Sequence, residues 1–135
     1  MSENKTIYRR ILKDYFENDD ETVLEELYAA NHVNHFLGVN GAQAWKQFMV
    51  PFREGFPDLH FTIHFQMADD DKVLNCWTAH TTHTGAFMGI PASGKKVSFN
   101  GMSVARIEDG KMVEEWSLVD MFTLMQQLEV IPSME

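Results

Sequence analysis

The chain has 135 residues, of which 44% are hydrophobic, carries a formal charge of −9 and contains one cysteine, Cys76. This length suits one domain over residues 1–135, large enough for a real core and too short for two ordinary domains. The 11 Lys and Arg are scattered without a basic stripe. With the acidic balance, this argues against nucleic acid as a partner. No apolar run approaches the roughly 20 residues that span a bilayer, and the first residues lack the apolar stretch of a secretory signal, so the expectation is a cytoplasmic protein with no membrane partner.

Residues 7–18 place Tyr8, Ile11, Leu12, Tyr15 and Phe16 at three- and four-residue spacing, one apolar helical stripe. Asp19, Asp20 and Glu21 end it and open a short helix through Val23, Leu24 and Leu27 to Tyr28. An irregular stretch at residues 32–38 follows. A third helix over residues 41–54 turns Trp45, Phe48, Met49 and Phe52 inward, with Pro51 expected to kink or shorten it. After the breaker Phe56-Pro57-Asp58 the chain alternates with period two, predicting strands over residues 59–68, 73–84, 96–108 and 112–119. Hairpin turns fall at Asp69-Asp70-Asp71 and Glu108-Asp109-Gly110, and a last helix covers residues 121–128. Helices first and consecutive strands afterwards predict an α+β fold, with an antiparallel sheet curled around the helices.

Alternate strand side chains share a face, so Trp116, Leu118 and Asp120 lie together. If that face is internal, an aspartate at the strand–helix junction loses water. Its proton affinity rises, which is how a general base is made. Asp120 is therefore the leading catalytic candidate. The six histidines fall as His32/His35, His60/His64 and His80/His83; they lack convergent ligand spacing, so no metal is expected. His83, beside Gly85, and His35 are each read either as pocket residues or as hydrogen-bonded structural ones. No serine sits in a nucleophile elbow, and Cys76 reads as a buried inert thiol. Gly85, Gly89 and Gly94 do not form a phosphate loop, and no cofactor motif is present. Nine methionines among many aromatic residues, Phe87 included, suit a soft core with a mouth for a flat hydrophobic ligand.

Phe56-Pro57-Asp58-Leu59, the stretch from Thr82-His83-Thr84-Gly85 through Phe87 to Pro91 with Gly94-Lys95, and Asp109-Gly110-Lys111 followed by Glu114, Trp116 and Asp120 resemble the SnoaL-like polyketide cyclases of the nuclear transport factor 2-like superfamily. The resemblance extends over nearly the whole chain, although Cys76 and Thr81 stand where the family often has arginine and glycine. It implies helices packed on a strongly curved sheet, a cystatin-like α+β cone with an internal pocket and no cofactor. It also implies intramolecular aldol chemistry, in which an aspartate, matched here by Asp120, takes a proton from carbon next to a carbonyl. His83 is then a second catalytic candidate, and His35, Trp116, Phe87, Met102 and Leu118 are candidates for binding a hydrophobic carbonyl compound.

Two further readings stay open: a non-catalytic binding protein for a hydrophobic small molecule, and ketosteroid-isomerase-like proton transfer. A homodimer is expected, because superfamily members commonly pair through the outer sheet face. The strand over residues 96–108 also carries apolar residues on both parities, so one set needs cover beyond the helices.

Overall fold

The computed structural model describes residues 3–130. Helix α1 (Glu3–Arg10) continues without a break as a π-helical segment, Ile11–Glu17, so the predicted apolar stripe is one element in two windings. Helix α2 (Glu21–Leu27) begins at Asp20, whose side chain accepts the Thr22 backbone N–H, a standard N-cap. The next segment differs from expectation. Residues read as irregular form strand β1 (Tyr28–Asn34), which pairs parallel to the final hairpin strand. Helix α3 (Gly41–Gly55) runs on past Pro51 for a further turn.

Strands β2 (His60–Asp69), β3 (Lys72–Thr82), β4 (Lys96–Glu108) and β5 (Lys111–Val119) form antiparallel pairs in sequence, and α4 (Met121–Gln127) closes the described chain. The turns follow their predicted chemistry. Asp70, Asp109 and Gly110 all have positive φ, and the Asp-Gly pair supplies the left-handed backbone that a tight hairpin between right-twisted strands requires. The sheet order is β1-β5-β4-β3-β2, so the expected antiparallel sheet is corrected to a mixed one. It stays antiparallel except where β1 adds to the β5 edge.

Burial alternates strictly along β3 and β4. Val73, Asn75, Trp77, Ala79 and Thr81 face inward, as do Val97, Phe99, Gly101, Ser103, Ala105 and Ile107. The helical residues Tyr8, Ile11, Leu12, Tyr15, Leu24 and Trp45 pack against this face in one core. On β5 the buried set is Met112, Val113, Glu115 and Ser117. The inward parity is therefore Glu115–Ser117–Val119, and Trp116, Leu118 and Asp120 belong to the other face.

Candidate active site

Between the helices and the inner sheet face lies a cavity of about 160 Å³. Its wall is aromatic: Phe16, Trp45, Phe48 and Phe52 come from the helical side, and Phe61, Trp77 and Phe99 from the sheet. Leu37 and Phe48, both partly exposed, mark the rim. Gly101 makes room for one of these walls. It pairs with Trp77 across β3–β4, and a Cβ there would fall 2.1 Å from the indole.

Polar groups enter this cavity from few places, and one is a carboxylate. Glu115 and Ser117 project from β5, with the Tyr8 hydroxyl on the helical side. Glu115 is 5% exposed, and a carboxylate so enclosed needs hydrogen-bond donors to remain charged. Asn34, its register partner on β1, supplies one. The Asn34 Nδ2 group donates to Glu115 Oε1 at 3.2 Å and to Ser117 Oγ at 3.3 Å.

The orientation of that amide is dictated by backbone. Asn34 Oδ1 accepts the N–H groups of Phe36 and Leu37 at 3.2 and 3.0 Å, so its NH₂ must point to β5. Behind Glu115, His32 Nε2 lies 3.5 Å from Oε1. Burial, with the charge of Glu115 added, pushes the Tyr8 and Tyr28 phenols well above their ordinary range; both stay protonated at any physiological pH. The Ser103 hydroxyl donates to the Tyr8 hydroxyl oxygen at 2.6 Å. Among the described residues the site thus presents one carboxylate to an apolar chamber, with the Asn34 amide donating to its Oε1. The Ser117 hydroxyl stands beside it, accepting from Asn34 and keeping its own proton to donate.

The residues singled out in the sequence lie elsewhere. Asp120 is exposed and caps α4: its carboxylate accepts the Thr123 N–H at 3.0 Å and the Thr123 hydroxyl at 2.6 Å. Those bonds, the hydroxyl first, hold its pKa below the ordinary aspartate value. The expected inward orientation and raised proton affinity are both corrected. Trp116 lies on the outer face, stacked on His35 with ring centroids 4.9 Å apart. His35 in turn bonds Glu114 at 2.7 Å, and with Arg106 it lowers the Glu114 pKa.

Met102 and Leu118 are exposed on the same outer face. With Asp120, His64, Cys76 and Asn100 they line a shallow groove. Cys76 is half-buried there rather than sealed in the core. His83 is fully buried, with Nδ1 on Ser93 Oγ at 2.9 Å and its ring against Phe56. Phe87 packs behind the cavity on Phe52 and Phe56. Neither lines the chamber. The other histidines have protein partners: His80 bonds Thr62, and His64 bonds Thr78.

The inward parity was readable in one respect. Glu114 and Glu115 are adjacent on a strand, so one of two carboxylates must face the helices. Asn34 and His32 carry no such signal, because the Ala, Asn and His residues of β1 have little strand propensity.

The SnoaL-like polyketide cyclase domain matches residues 6–128. The chain belongs to this family. Among solved structures it is similar to AclR, a proposed hydroxylase from Streptomyces galilaeus, at 26% identity and a TM-score of 0.88, over 100% of this chain and 86% of that one. A proposed polyketide cyclase from Bacillus cereus matches at 26% identity and a TM-score of 0.83, covering 96% of this chain and 83% of the other. IdmH, a proposed polyketide cyclase from Streptomyces antibioticus, shares the fold at 24% identity and a TM-score of 0.85, over 95% and 99% of the two chains. The comparison with curated proteins gives no match. The α+β architecture is that of the SnoaL-like, nuclear transport factor 2-like group, and among the described residues no helix is long and apolar enough to cross a membrane.

Proposed function

We propose that this protein is a cofactor-independent cyclase that closes a ring in an apolar, carbonyl-bearing small molecule by intramolecular aldol addition, with Glu115 as the base in place of the expected Asp120. The observation that carries this reading is a carboxylate, the single one among the described residues of the lining, that faces an aromatic cavity with one oxygen already held by Asn34. Glu115 takes a proton from carbon next to a carbonyl, and the C–H electron pair moves into the enolate. The enolate carbon then attacks a second carbonyl of the same molecule, forming the C–C bond. The resulting alkoxide recovers the proton from Glu115, so atoms and charge balance without a co-reactant. The Ser117 O–H is placed to donate to the enolate oxygen, the role a preorganised donor plays where charge develops. A carboxylate is a weak base, so the carbon acid must be activated.

Deuterium exchange tests the first step without the natural substrate. 2-Tetralone, an apolar ketone of suitable size, should exchange its α-protons with D₂O faster in the presence of the protein, saturably, and Glu115→Gln should remove the acceleration. Absence of any acceleration in the wild-type protein, with 2-tetralone shown to bind, would leave the reading of a non-catalytic binding protein. One observation favours that alternative: the Asn34–Glu115 contact also ties the β1 edge to β5, a structural use for the carboxylate.

The assembly proposed is a homodimer formed through the outer sheet face. Phe65, Met67, Met102 and Leu118 are 43%, 60%, 46% and 64% exposed there, and exposed large apolar side chains gathered on one face mark an interaction surface.

A further inference from the structure

His32 is buried, and its hydrogen bonding fixes which ring nitrogen carries the proton. The Gly41 backbone N–H, at the first residue of α3, donates to His32 Nδ1 at 3.0 Å. A backbone N–H can only donate, so Nδ1 is an acceptor without a proton, and the neutral ring must carry its hydrogen on Nε2. That nitrogen is buried, has no hydrogen-bond partner, and faces Glu115 Oε1 across 3.5 Å.

We propose that His32 is a positioning residue for Glu115, locked as its Nε2–H tautomer by Gly41 and closing onto Oε1 when a ligand engages the carboxylate. This rests on the reading of Glu115 as the group that meets the ligand. Hydrogen bonds around a reacting group are often long in the unliganded protein and shorten in the complex; the 3.5 Å separation needs only a few tenths of an ångström to become one. His32 and Asn34 then both occupy Oε1. The other carboxylate oxygen is left to the ligand, and the group cannot swing away from the cavity.

Both holding residues are also anchored to the segment between β1 and α3. Asn34 Oδ1 accepts from Phe36 and Leu37, the Asn34 N–H donates to Asn40 Oδ1 at 2.9 Å, and His32 accepts from Gly41. Leu37 itself lines the cavity. A ligand pressing on Leu37 therefore acts on the segment that orients both donors to Glu115, which couples entry at the rim to the aim of the carboxylate.

Two measurements test this. Nitrogen-15 NMR of the wild-type imidazoles at pH 7 should show His32 protonated at Nε2 alone; an Nδ1–H tautomer or an imidazolium at this site would overturn the proposal. The second measurement compares 2-naphthol, whose hydroxyl stands for an enol, with naphthalene. The wild-type protein should prefer naphthol, and His32→Phe should reduce that preference about fivefold to tenfold while leaving naphthalene affinity unchanged. His32→Gln, whose amide can again donate, should restore part of it.

If His32→Phe weakens both ligands equally, or neither, His32 is only a packing residue and the proposal fails. If it fails to fold, the tautomer result and His32→Gln still decide. Glu115→Gln separates the two readings. The Gln amide oxygen would turn to Asn34 and its NH₂ to the cavity, so the naphthol hydroxyl loses its charged acceptor and keeps at most a weaker bond through its oxygen; the preference should fall steeply. A preference undiminished in Glu115→Gln refutes the role of Glu115 itself; one reduced in Glu115→Gln and kept in full in His32→Phe refutes only the role of His32.

Discussion

Asn34 and Glu115 stand opposite each other in the parallel pairing of β1 and β5, and the Asn34 amide donates to Glu115 Oε1 at 3.2 Å. Because Asn34 Oδ1 is held by two backbone N–H groups, this contact has one polarity and cannot be satisfied by rotating the amide.

Removing the donor should therefore cost more than a surface hydrogen bond. Asn34→Ala strips Glu115 of its main partner in a site 5% exposed, and hydrogen bonds to charged groups are worth about 1.5–3 kcal/mol, with a further penalty for a buried charge left bare. We expect about 3 kcal/mol lost in urea unfolding. Asn34→Asp should be worse still, placing two carboxylates within contact. A loss below about 1 kcal/mol for Asn34→Ala would show that water reaches Glu115 and that the site is not dry.

Asp120 makes a contrasting prediction. As the cap of α4, it should contribute about 1 kcal/mol to stability, the usual value for an N-cap replaced by alanine. Asp120→Ala should lower stability by that amount and leave ligand binding in the cavity intact. Its pKa is depressed in the fold by Thr123, so the charged form is the stabilised one. That contribution is fully present above the ordinary aspartate value of roughly 4 and is lost as pH falls through the lower folded value. The difference between wild type and Asp120→Ala should thus be largest at neutral pH and shrink below about pH 4. A difference that grew on acidification would contradict the capping role.

These two residues show what the sequence made legible. Helical stripes at Tyr8–Phe16 and the Asp109-Gly110 hairpin read correctly because their spacing and turn chemistry are local. The orientation of β5 did not, for a reason of parity. Trp116 and Leu118 look like an inward pair by hydrophobicity, while the inward residues are Glu115 and Ser117. In a two-faced sheet a shift by one residue transfers every side chain to the opposite side. Hydrophobicity does not separate the two faces, because the outer face is apolar too, with Phe65, Met67, Met102 and Leu118 on it. Strand β1 was hidden because its Asn, His and Ala residues carry little strand propensity. It is held by pairing to a strand some eighty residues later, which no local pattern shows.

Gly101 offers a test of the cavity wall itself. Its missing side chain leaves space for the Trp77 indole, which a Cβ would meet at 2.1 to 2.6 Å on three atoms. Gly101→Ala should push Trp77 from its place and cost about 1–3 kcal/mol, the range for overpacking a filled site. It should also change Trp77 fluorescence and weaken naphthalene binding. Trp77→Phe in the Gly101→Ala background should recover part of the stability by removing the clashing ring. Unchanged fluorescence and affinity in Gly101→Ala would mean that the indole moves without disturbing the chamber.

The outer face yields the last prediction. Leu118 is 64% exposed and Met102 46% exposed, and they pair directly across β4–β5, so together they form an apolar step on the sheet surface facing away from the cavity. In a homodimer this step is covered. Covering it removes apolar surface from water, which favours association at roughly 25 cal/mol per Å² buried. Leu118→Glu would place a charge in that covered surface and should convert the dimer to monomer at tens of micromolar, read by light scattering. Because Leu118 lies opposite the cavity face, naphthalene binding should survive the change. A wild-type protein that scatters as a monomer at that concentration would refute the dimer outright. A Leu118→Glu variant that remains dimeric would place the interface on another surface.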